Sequence, residues 1–390
     1  MMTNNYLTEI GYVSINHFGE ELCGDHVEVI SPTSDTKIIV LADGLGSGVK
    51  ANILSTLTAE MLSTMMANNI SIEECVKAIA ETLPICKVRG VAYSTFTIVK
   101  IINNNHVDIY NYDNPTPFMV REGKIRDIYF DKLLIEGKKI YHASLPLKLY
   151  DTIVIMSDGV KYAGVGETMN FGWDLPEIKN FVEALYQPSY SSKSLATLLV
   201  DHCNELYNHR PGDDTTCAIV RIREHQSINM MIGPPSNKDD DEKMLSLFFS
   251  KQGKHIVSGG TTSNIVARYL KQDLELALEY EDKDIPPISF IKGVDLVTEG
   301  VITLNRVLEY ARNCLGLNQD YFMWSYKQDG ASLIAKMLLE EATDINFFVG
   351  GAINQAHQDE RINYKLKMQL IDELSRVLKL LGKNVNISYF

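Results

Sequence analysis

Four acidic sites in the sequence lie where an apolar run begins or ends, at the places where side chains reach the edge of a buried sheet. Asp43 and Asp158 each follow a run typical of a strand covered on both faces, where an unpaired carboxylate is costly. Converging carboxylates are tolerated when a hard divalent cation lies among them, because Mg²⁺, Mn²⁺ and Ca²⁺ prefer oxygen ligands. The pattern therefore indicates a cation site assembled from distant segments. The four sites are Gly24-Asp25, Asp43-Gly44, Asp158-Gly159 and Asp213-Asp214.

Each acidic site also has a simpler interpretation, because Asp-Gly pairs are common turn residues that favour strand ends. Three histidines, His17, His26 and His142, are candidate general acids, although a lone histidine is more often a surface or packing residue. The spacing of Cys217 and Arg223 matches a cysteine-phosphatase pattern. Their segment, CAIVRIR, reads as a plain strand without a glycine-rich loop to hold a phosphate, so we expect no cysteine nucleophile there.

Composition limits the class of protein. The chain has 390 residues, 45% hydrophobic and 22% charged, which predicts a globular protein of two or three domains. A net charge of −13 disfavours nucleic acid as a partner and suits a site that collects cations. No apolar segment approaches the ~20 residues needed to cross a bilayer, and no secretion signal is evident. The six cysteines are scattered, as expected for reduced thiols in the cytoplasm.

The distribution of apolar residues divides the chain into two parts. Up to about residue 224 it reads mostly as strands with a few helices between them, which predicts an α+β layered domain over residues 1–225. Residues 226–390 alternate short strands, including 288–291, with longer helices, which predicts an α/β domain with a mainly parallel sheet.

Six motifs, in their order along the chain, resemble the metal-dependent serine/threonine phosphatases of type 2C, the PPM superfamily. The resemblance is closest to the bacterial branch typified by the stage II sporulation protein E phosphatase and covers about residues 8–224. It implies an N-terminal α-β-β-α layered sandwich, two divalent cations (Mn²⁺ or Mg²⁺), and hydrolysis of a phosphoester by metal-activated water. The motifs are CGDHVEVI, LADGLGSGVKA, AYSTFTIV, YDNPTPFMV, IMSDGV and GDDTTCAIV.

The resemblance also implies roles for individual residues in the first half of the site. Asp43 is similar to the aspartate that bridges the two cations, with Gly44 lending its backbone carbonyl. Asp25 resembles the early aspartate that contacts the cation pair directly or through water. The helix that starts after the glycines would direct its N-terminus toward this corner.

The remaining ligands implied by the resemblance lie later in the chain. Asp158 and one of Asp213 and Asp214 resemble ligands of the second cation; the motif favours Asp213 and leaves Asp214 to brace the strand. Relatives in eukaryotes hold the substrate phosphate with an N-terminal arginine, whereas the first arginine here is Arg89. Residues 161–171, with glycines at 164 and 166, are either a flap near the site or an ordinary mobile loop.

These observations predict a cytoplasmic phosphatase that acts on phosphorylated serine or threonine of a regulatory protein, of the anti-sigma antagonist kind by resemblance. Two alternatives stay open: a signalling adaptor that keeps the fold without catalysis, and a metal-dependent hydrolase of small phosphoesters. A homodimer is one assembly compatible with the sequence.

The second domain has one segment whose residue types suit an anion. In IVSGGTTSNIVARYL the glycines turn the chain, the hydroxyl residues offer donors, and the following helix supplies the positive end of its dipole. This predicts a regulatory or sensing domain that takes a small anionic effector. The alternative is a tight strand-to-helix turn with a threonine N-cap. The candidate residues are Gly259, Gly260, Thr261, Thr262 and Ser263.

Overall fold

The computed structural model describes residues 6–83, 94–277, 282–352 and 360–390. The chain divides into two compact units, Met1–Glu224 and His225–Phe390. None of the described helices is both long enough and apolar enough to span a bilayer.

Strands dominate the first unit, and they form two sheets. One sheet has the order β1-β11-β10-β6-β7 and the other β2-β3-β4-β5-β9-β8, with antiparallel neighbours throughout. The elements are β1 (Tyr6–Ile15), β2 (Asp25–Ile30), β3 (Lys37–Gly44), α1 (Gly48–Ala67), α2 (Ile72–Thr82), β4 (Ser94–Ile102), β5 (His106–Tyr112), β6 (Phe118–Arg121), β7 (Lys124–Asp127), β8 (Asp131–Ile135), β9 (Lys138–Pro146), β10 (Thr152–Met156), α3 (Asp158–Lys161), α4 (Leu175–Leu185), α5 (Ser192–Leu206) and β11 (Thr215–Glu224).

The cores of this unit show that it has four layers. Alternate residues of β3 point to opposite faces: Ile39 and Leu41 enter the core between the two sheets, whereas Ile38 and Val40 pack against α1 and α2. A third core lies between the other sheet and helices α4 and α5, and it includes Ile178. Burial on both faces explains why β3 and β10 are nearly continuous apolar runs. The predicted α-β-β-α sandwich is confirmed.

The second unit is built on one larger sheet in the order β14-β15-β16-β13-β12-β17-β18. Its pairs from β16 to β18 are parallel, and β14 and β15 add an antiparallel edge, so the predicted mainly parallel sheet is confirmed. The elements are β12 (Ser227–Ile232), α6 (Asp241–Ser250), β13 (Lys254–Ser258), α7 (Gly260–Leu270), β14 (Glu275–Leu276), β15 (Ser289–Phe290), β16 (Leu296–Thr298), α8 (Val301–Leu315), α9 (Tyr321–Trp324), α10 (Gly330–Ala335), β17 (Asp344–Val349), α11 (Glu360–Leu380) and β18 (Asn384–Tyr389), with a 3₁₀ turn over 238–240 and a π-helical turn over 336–341.

The structure corrects several element assignments. The run 288–291 contributes only a two-residue antiparallel strand between β14 and β16, because the chain reaches the parallel part of the sheet one element later, at β16. The strand predicted over 92–102 begins at Ser94, and residues 92 and 93 lie outside the described residues. Strands β7 and β8 were missed because, as a polar and half-exposed part of the sheets, they carry little apolar alternation.

Candidate active site

Two of the predicted acidic residues lie side by side at the end of one antiparallel pair. In the register of β2 and β3, Asp25 lies opposite Asp43. The chain positions them with a backbone hydrogen bond from the Gly44 amide to the Gly24 carbonyl, 3.1 Å long. Cross-strand partners have Cβ atoms about 4.5–5.5 Å apart, so this register alone brings two carboxylates from separate motifs together.

The other acidic residues come from the adjoining ends of β10 and β11 in the facing sheet. The Ser157 amide donates to the Thr216 carbonyl over 3.0 Å, and the Thr216 amide donates to Ser157 Oγ over 2.9 Å. This pairing puts Asp158, the first residue of α3, beside the turn that carries Asp213 and Asp214. The Asp214 amide donates to Asp213 Oδ1 over 2.9 Å.

The two sheets bring all five aspartates into one cluster, hereafter the carboxylate cluster (Asp25, Asp43, Asp158, Asp213 and Asp214). Asp25 and Asp214 are buried, at 4% and 3% exposure, and the others are partly exposed. The hydroxyls of Ser157 and Thr216 approach Asp25, yet neither of its carboxylate oxygens has a well-formed hydrogen bond. Asp214 Oδ1 accepts from the His17 amide over 3.0 Å, while its Oδ2 has no partner. Buried oxygens without partners are unfavourable unless a ligand compensates them.

The pKa values of the carboxylate cluster also show that negative charge is unfavourable at these buried positions. Burial, followed by repulsion from Asp25 and Asp158, raises the pKa of Asp43 to about 10. Burial and the neighbouring Asp158 raise the pKa of Asp213 to about 6, and burial raises that of Asp25 well above its usual range. The pKa of Asp158 is also raised, mainly by burial, although Asp43 and Lys161 oppose the rise. Without added positive charge, the cluster would hold protons at neutral pH.

Divalent cations fit this donor set, provided that water completes their coordination. Among the described residues, no group of three or more His, Cys, Asp or Glu side chains has ready-made metal-site geometry. Mg²⁺ typically keeps several waters and binds through one or two carboxylates. The all-oxygen donors, their partnerless buried atoms and their mutual repulsion therefore suit hydrated cations.

Two glycines allow the strand ends to approach their neighbours. A Cβ on Gly44 would lie 2.1 Å from the Ala51 carbonyl oxygen, so β3 passes directly against the first turns of α1. A Cβ on Gly159 would lie 2.2 Å from the Asp214 carbonyl oxygen. The glycine in each Asp-Gly pair is therefore required by close packing around the carboxylate cluster, in addition to any role in a turn.

The Asn-x-Pro motif braces the strands beneath the carboxylate cluster. Asn114 is buried, and its amide donates to Thr97 Oγ1 over 3.0 Å while its carbonyl accepts a hydrogen bond from Thr95. Ser94 Oγ donates to the Asp43 carbonyl over 2.8 Å. These bonds fix β4 against the end of β3. The sequence motifs contain Asn114 and Ser157 but did not reveal these roles. Tyr207, whose hydroxyl donates to the Gly159 carbonyl over 2.8 Å, was not predicted to be near the site.

We expect Asn114→Ala to destabilise the protein by about 1–3 kcal/mol, because a buried side chain loses its hydrogen bonds with the hydroxyls of Thr95 and Thr97. Urea denaturation followed by circular dichroism measures this change. The exposed Asn105 is the matched control, and Asn105→Ala should stay within about 0.5 kcal/mol of wild type. Equal stability of the two variants would contradict the bracing role.

The three candidate histidines lie in different surroundings in the structure. His17 lies beside the carboxylate cluster, where its charge lowers the pKa of Asp213. His26 Nε2 lies 3.3 Å from Glu28 Oε2, and His142 stacks on Tyr110 at 4.5 Å between ring centroids. His17 is therefore the histidine placed to act near the carboxylates. The predicted flap, residues 161–171, continues from α3 as turns held by a bridge between Val165 and Met169.

The predicted anion site of the second unit lies at the start of α7. The helix begins at Gly260 with Gly259 as its N-cap and has no side-chain cap, so the alternative of a threonine N-cap is wrong. Thr261 is exposed, whereas Thr262 and Ser263 are buried.

Comparison with known proteins shows which family the first unit is similar to. Residues 33–223 match the family model "Stage II sporulation protein E (SpoIIE)". A curated relative, stage II sporulation protein E of Priestia megaterium, is 23% identical over 162 residues, which is 40% of this chain and 28% of the relative. The chain thus matches less than a third of that relative's length.

Two solved structures from Bacillus subtilis are also similar to this chain. One contains the PP2C phosphatase domain and a fragment of the regulatory domain of SpoIIE, with 20% identity, 57% of this chain and 64% of that chain covered, and a TM-score of 0.49. The other is the SpoIIE phosphatase domain in a crystal form without domain swapping, with 19% identity, 56% and 94% coverage, and a TM-score of 0.44. The first unit of this chain is therefore similar to the SpoIIE-like branch of the PPM superfamily, through the family match over residues 33–223 and the curated relative, and its ordered motifs and four-layered fold are consistent with that similarity.

Proposed function

We propose that this protein is a metal-dependent serine/threonine phosphatase that hydrolyses a phosphoprotein. The observation that carries the proposal is the carboxylate cluster, in which buried oxygens of Asp25 and Asp214 lack partners. When bound, two divalent cations (Mn²⁺ or Mg²⁺) would supply the positive charge that lowers the pKa of water and stabilises phosphoryl oxygens. The family match supports the same class of chemistry.

Residues from both sheets would bind the cation pair. Asp25 and Asp43 on β2 and β3, with the Gly44 carbonyl, would hold one side of the cation pair. Asp158 and Asp213 would hold the other. The buried Asp214 would keep the loop after β1 in place through its bond with the His17 amide. His17 is suitably placed to give a proton to the leaving serine or threonine oxygen.

We also propose that the second unit is regulatory, and that the substrate is a phosphorylated regulatory protein. A separate unit with its own parallel sheet and cavity supports a sensing role. Asp43, Asp158 and Asp213 are partly exposed at the ends of strands, where a phosphorylated segment of a protein could reach them.

The test is hydrolysis of a phosphoserine peptide by the full chain with MnCl₂ or MgCl₂, compared with the same reaction in EDTA. We expect phosphate release that requires the cation, and a kcat/KM for the peptide higher than for p-nitrophenyl phosphate. Cation-dependent turnover of p-nitrophenyl phosphate alone would favour a hydrolase of small phosphoesters. Absence of turnover on either substrate, despite bound cation, would contradict the enzyme and favour an adaptor.

A further inference from the structure

The second unit contains a cavity of about 1430 Å³ that the proposed phosphatase chemistry does not use. It lies beyond the carboxyl ends of four neighbouring parallel strands, whose last residues pair in register: Ile232 of β12 with Ser258 of β13 and Val349 of β17, and Ser258 with Thr298 of β16. The parallel strands follow the spatial order third, second, first, fourth and fifth along the chain. In open α/β sheets of this order, ligands bind at this edge, beside the point where the order reverses.

One wall of the cavity is the first turn of α7, and it carries a polar atom without a partner. Thr262 lines the cavity and is 2% exposed, and its hydroxyl has no hydrogen-bond partner. The neighbouring Ser263 hydroxyl, in contrast, donates to the Gly259 carbonyl over 2.9 Å. The helix has eleven residues and no side-chain cap, so its first amides remain available to an anion. A hydroxyl without a hydrogen-bond partner, next to helix amides without a cap, indicates a ligand with several acceptor oxygens.

A second helix begins at the same cavity. Helix α8 also lacks a side-chain cap and starts after Glu299-Gly300. The Glu299 carboxylate approaches α7, with an oxygen 3.4 Å from the position that a Cβ on Gly260 would take. Ser258 Oγ fixes this segment by donating to the Glu299 carbonyl over 2.9 Å. The carboxylate would repel a second phosphate but can accept hydrogen bonds from sugar hydroxyls.

The remaining walls combine positive charge with apolar surface. Lys238, Arg268 and Lys367 line the cavity, against the acidic Asp241 and Glu299. Lys367 Nζ donates to the Gly350 carbonyl over 2.6 Å, which places this amino group beyond the paired ends of β12 and β17. Apolar side chains at the start of α8 and on α7 offer a surface for a planar group: Ile265, Val301 and Ile302.

We infer that this cavity binds a nucleotide, with its phosphate at the first turn of α7 and the Thr262 hydroxyl donating to a phosphate oxygen. Glu299 accepts hydrogen bonds from the ribose, and the base lies against the apolar wall. The cavity is far larger than a lone phosphate needs, and an anion alone would leave both Glu299 and the apolar wall without a function.

The test uses the full chain in EDTA, which removes binding carried by divalent cations at the first unit. Isothermal titration with AMP, ADP, ATP and inorganic phosphate at equal ionic strength measures the affinities. We expect at least one nucleotide to bind more tightly than phosphate, and Thr262→Val to weaken that binding at least 10-fold. The matched control is Thr303→Val, because the Thr303 hydroxyl on α8 is equally buried and partnerless but does not line the cavity.

Several results would overturn the inference. These are unchanged nucleotide affinity in Thr262→Val, equal loss of affinity in Thr303→Val, tighter binding of phosphate than of every nucleotide, and absence of binding by all four probes. Glu299→Gln is an independent test: it should weaken nucleotide binding without weakening phosphate binding, because it removes an acceptor for the ribose hydroxyls and a charge that repels phosphate. Circular dichroism confirms that each variant is folded. Because binding is read in EDTA and repeated in Asp43→Asn, failure here is distinguishable from failure of the phosphatase proposal.

Discussion

Replacement of Asp43 by asparagine should abolish cation-dependent phosphate release and, at the same time, stabilise the cation-free protein. Asp43 lies opposite Asp25 and near Asp158, and burial with this repulsion raises its pKa to about 10. Asparagine keeps the shape and removes the charge. We expect kcat/KM on a phosphoserine peptide to fall by about 10³-fold or more, equivalent to about 4 kcal/mol of transition-state stabilisation.

The stability of the same variant in EDTA at pH 7 should rise by about 0.5–2 kcal/mol, because folding no longer requires the Asp43 carboxyl to take up a proton. Urea denaturation measures this change. Asp201→Asn is the matched control: burial raises the pKa of Asp201 to about 6, but its charged neighbour is Glu205 on α5, outside the carboxylate cluster. This control should share some of the gain in stability and keep full activity.

Retained activity in Asp43→Asn would contradict the site. If Asp43→Asn does not fold, Asp158→Asn takes its place, since Asp158 lies at the end of the other sheet and the pKa of its carboxyl is also raised.

Divalent cations should stabilise the protein much more at pH 8 than at pH 5. A carboxyl whose pKa is higher in the folded than in the unfolded protein takes up a proton on folding. The cation-free fold is therefore most stable below the ordinary carboxyl pKa of about 4. It loses stability as the pH rises toward the folded pKa values, about 6 for Asp213 and about 10 for Asp43.

The expected slope in EDTA is a loss of up to about 1.4 kcal/mol per pH unit for each proton taken up on folding. Cations compete with those protons, so they restore most stability at high pH; a concentration of 100 times Kd contributes about 2.7 kcal/mol. Thermal unfolding at pH 5, 6, 7 and 8, with EDTA or with MnCl₂, measures both effects.

One group outside the carboxylate cluster contributes to the slope in this range: burial raises the pKa of Asp201 to about 6, and Asp201→Asn measures that contribution, which does not depend on cations. Asp282, Asp344 and Glu373 have lowered pKa values because of their hydrogen bonds or ion pairs, so they lose stabilisation only as the pH falls below about 4. Asp43→Asn should flatten the slope in EDTA. A stability in EDTA that is constant or rises from pH 5 to pH 8, with no response to cations, would contradict the carboxylate cluster as a cation site.

Much of the fold was predictable because its signals are local. The strand over 152–156 is apolar on both faces, which identifies a strand covered by two layers. The start of helix α4 was recognisable from its N-cap, Asp174, and from the proline in its first turn. The Asp174 side chain accepts a hydrogen bond from the Glu177 amide over 3.0 Å. In contrast, β7 and β8 are half-exposed, and they form strands only because neighbouring strands pair with them.

The sequence by itself determined the most apolar strands of the sandwich, the order of the aspartate motifs and the family that they resemble, since each depends on a few neighbouring residues. Only the tertiary structure decided which atoms meet. The register of β2 on β3 placed Asp25 opposite Asp43, and the pairing of β1 with β11 joined residues about 200 positions apart, bringing the His17 amide to Asp214. The same holds for Thr262, whose type was visible but whose partnerless hydroxyl was not. Contacts of this kind depend on long-range packing, which no local pattern of side chains encodes.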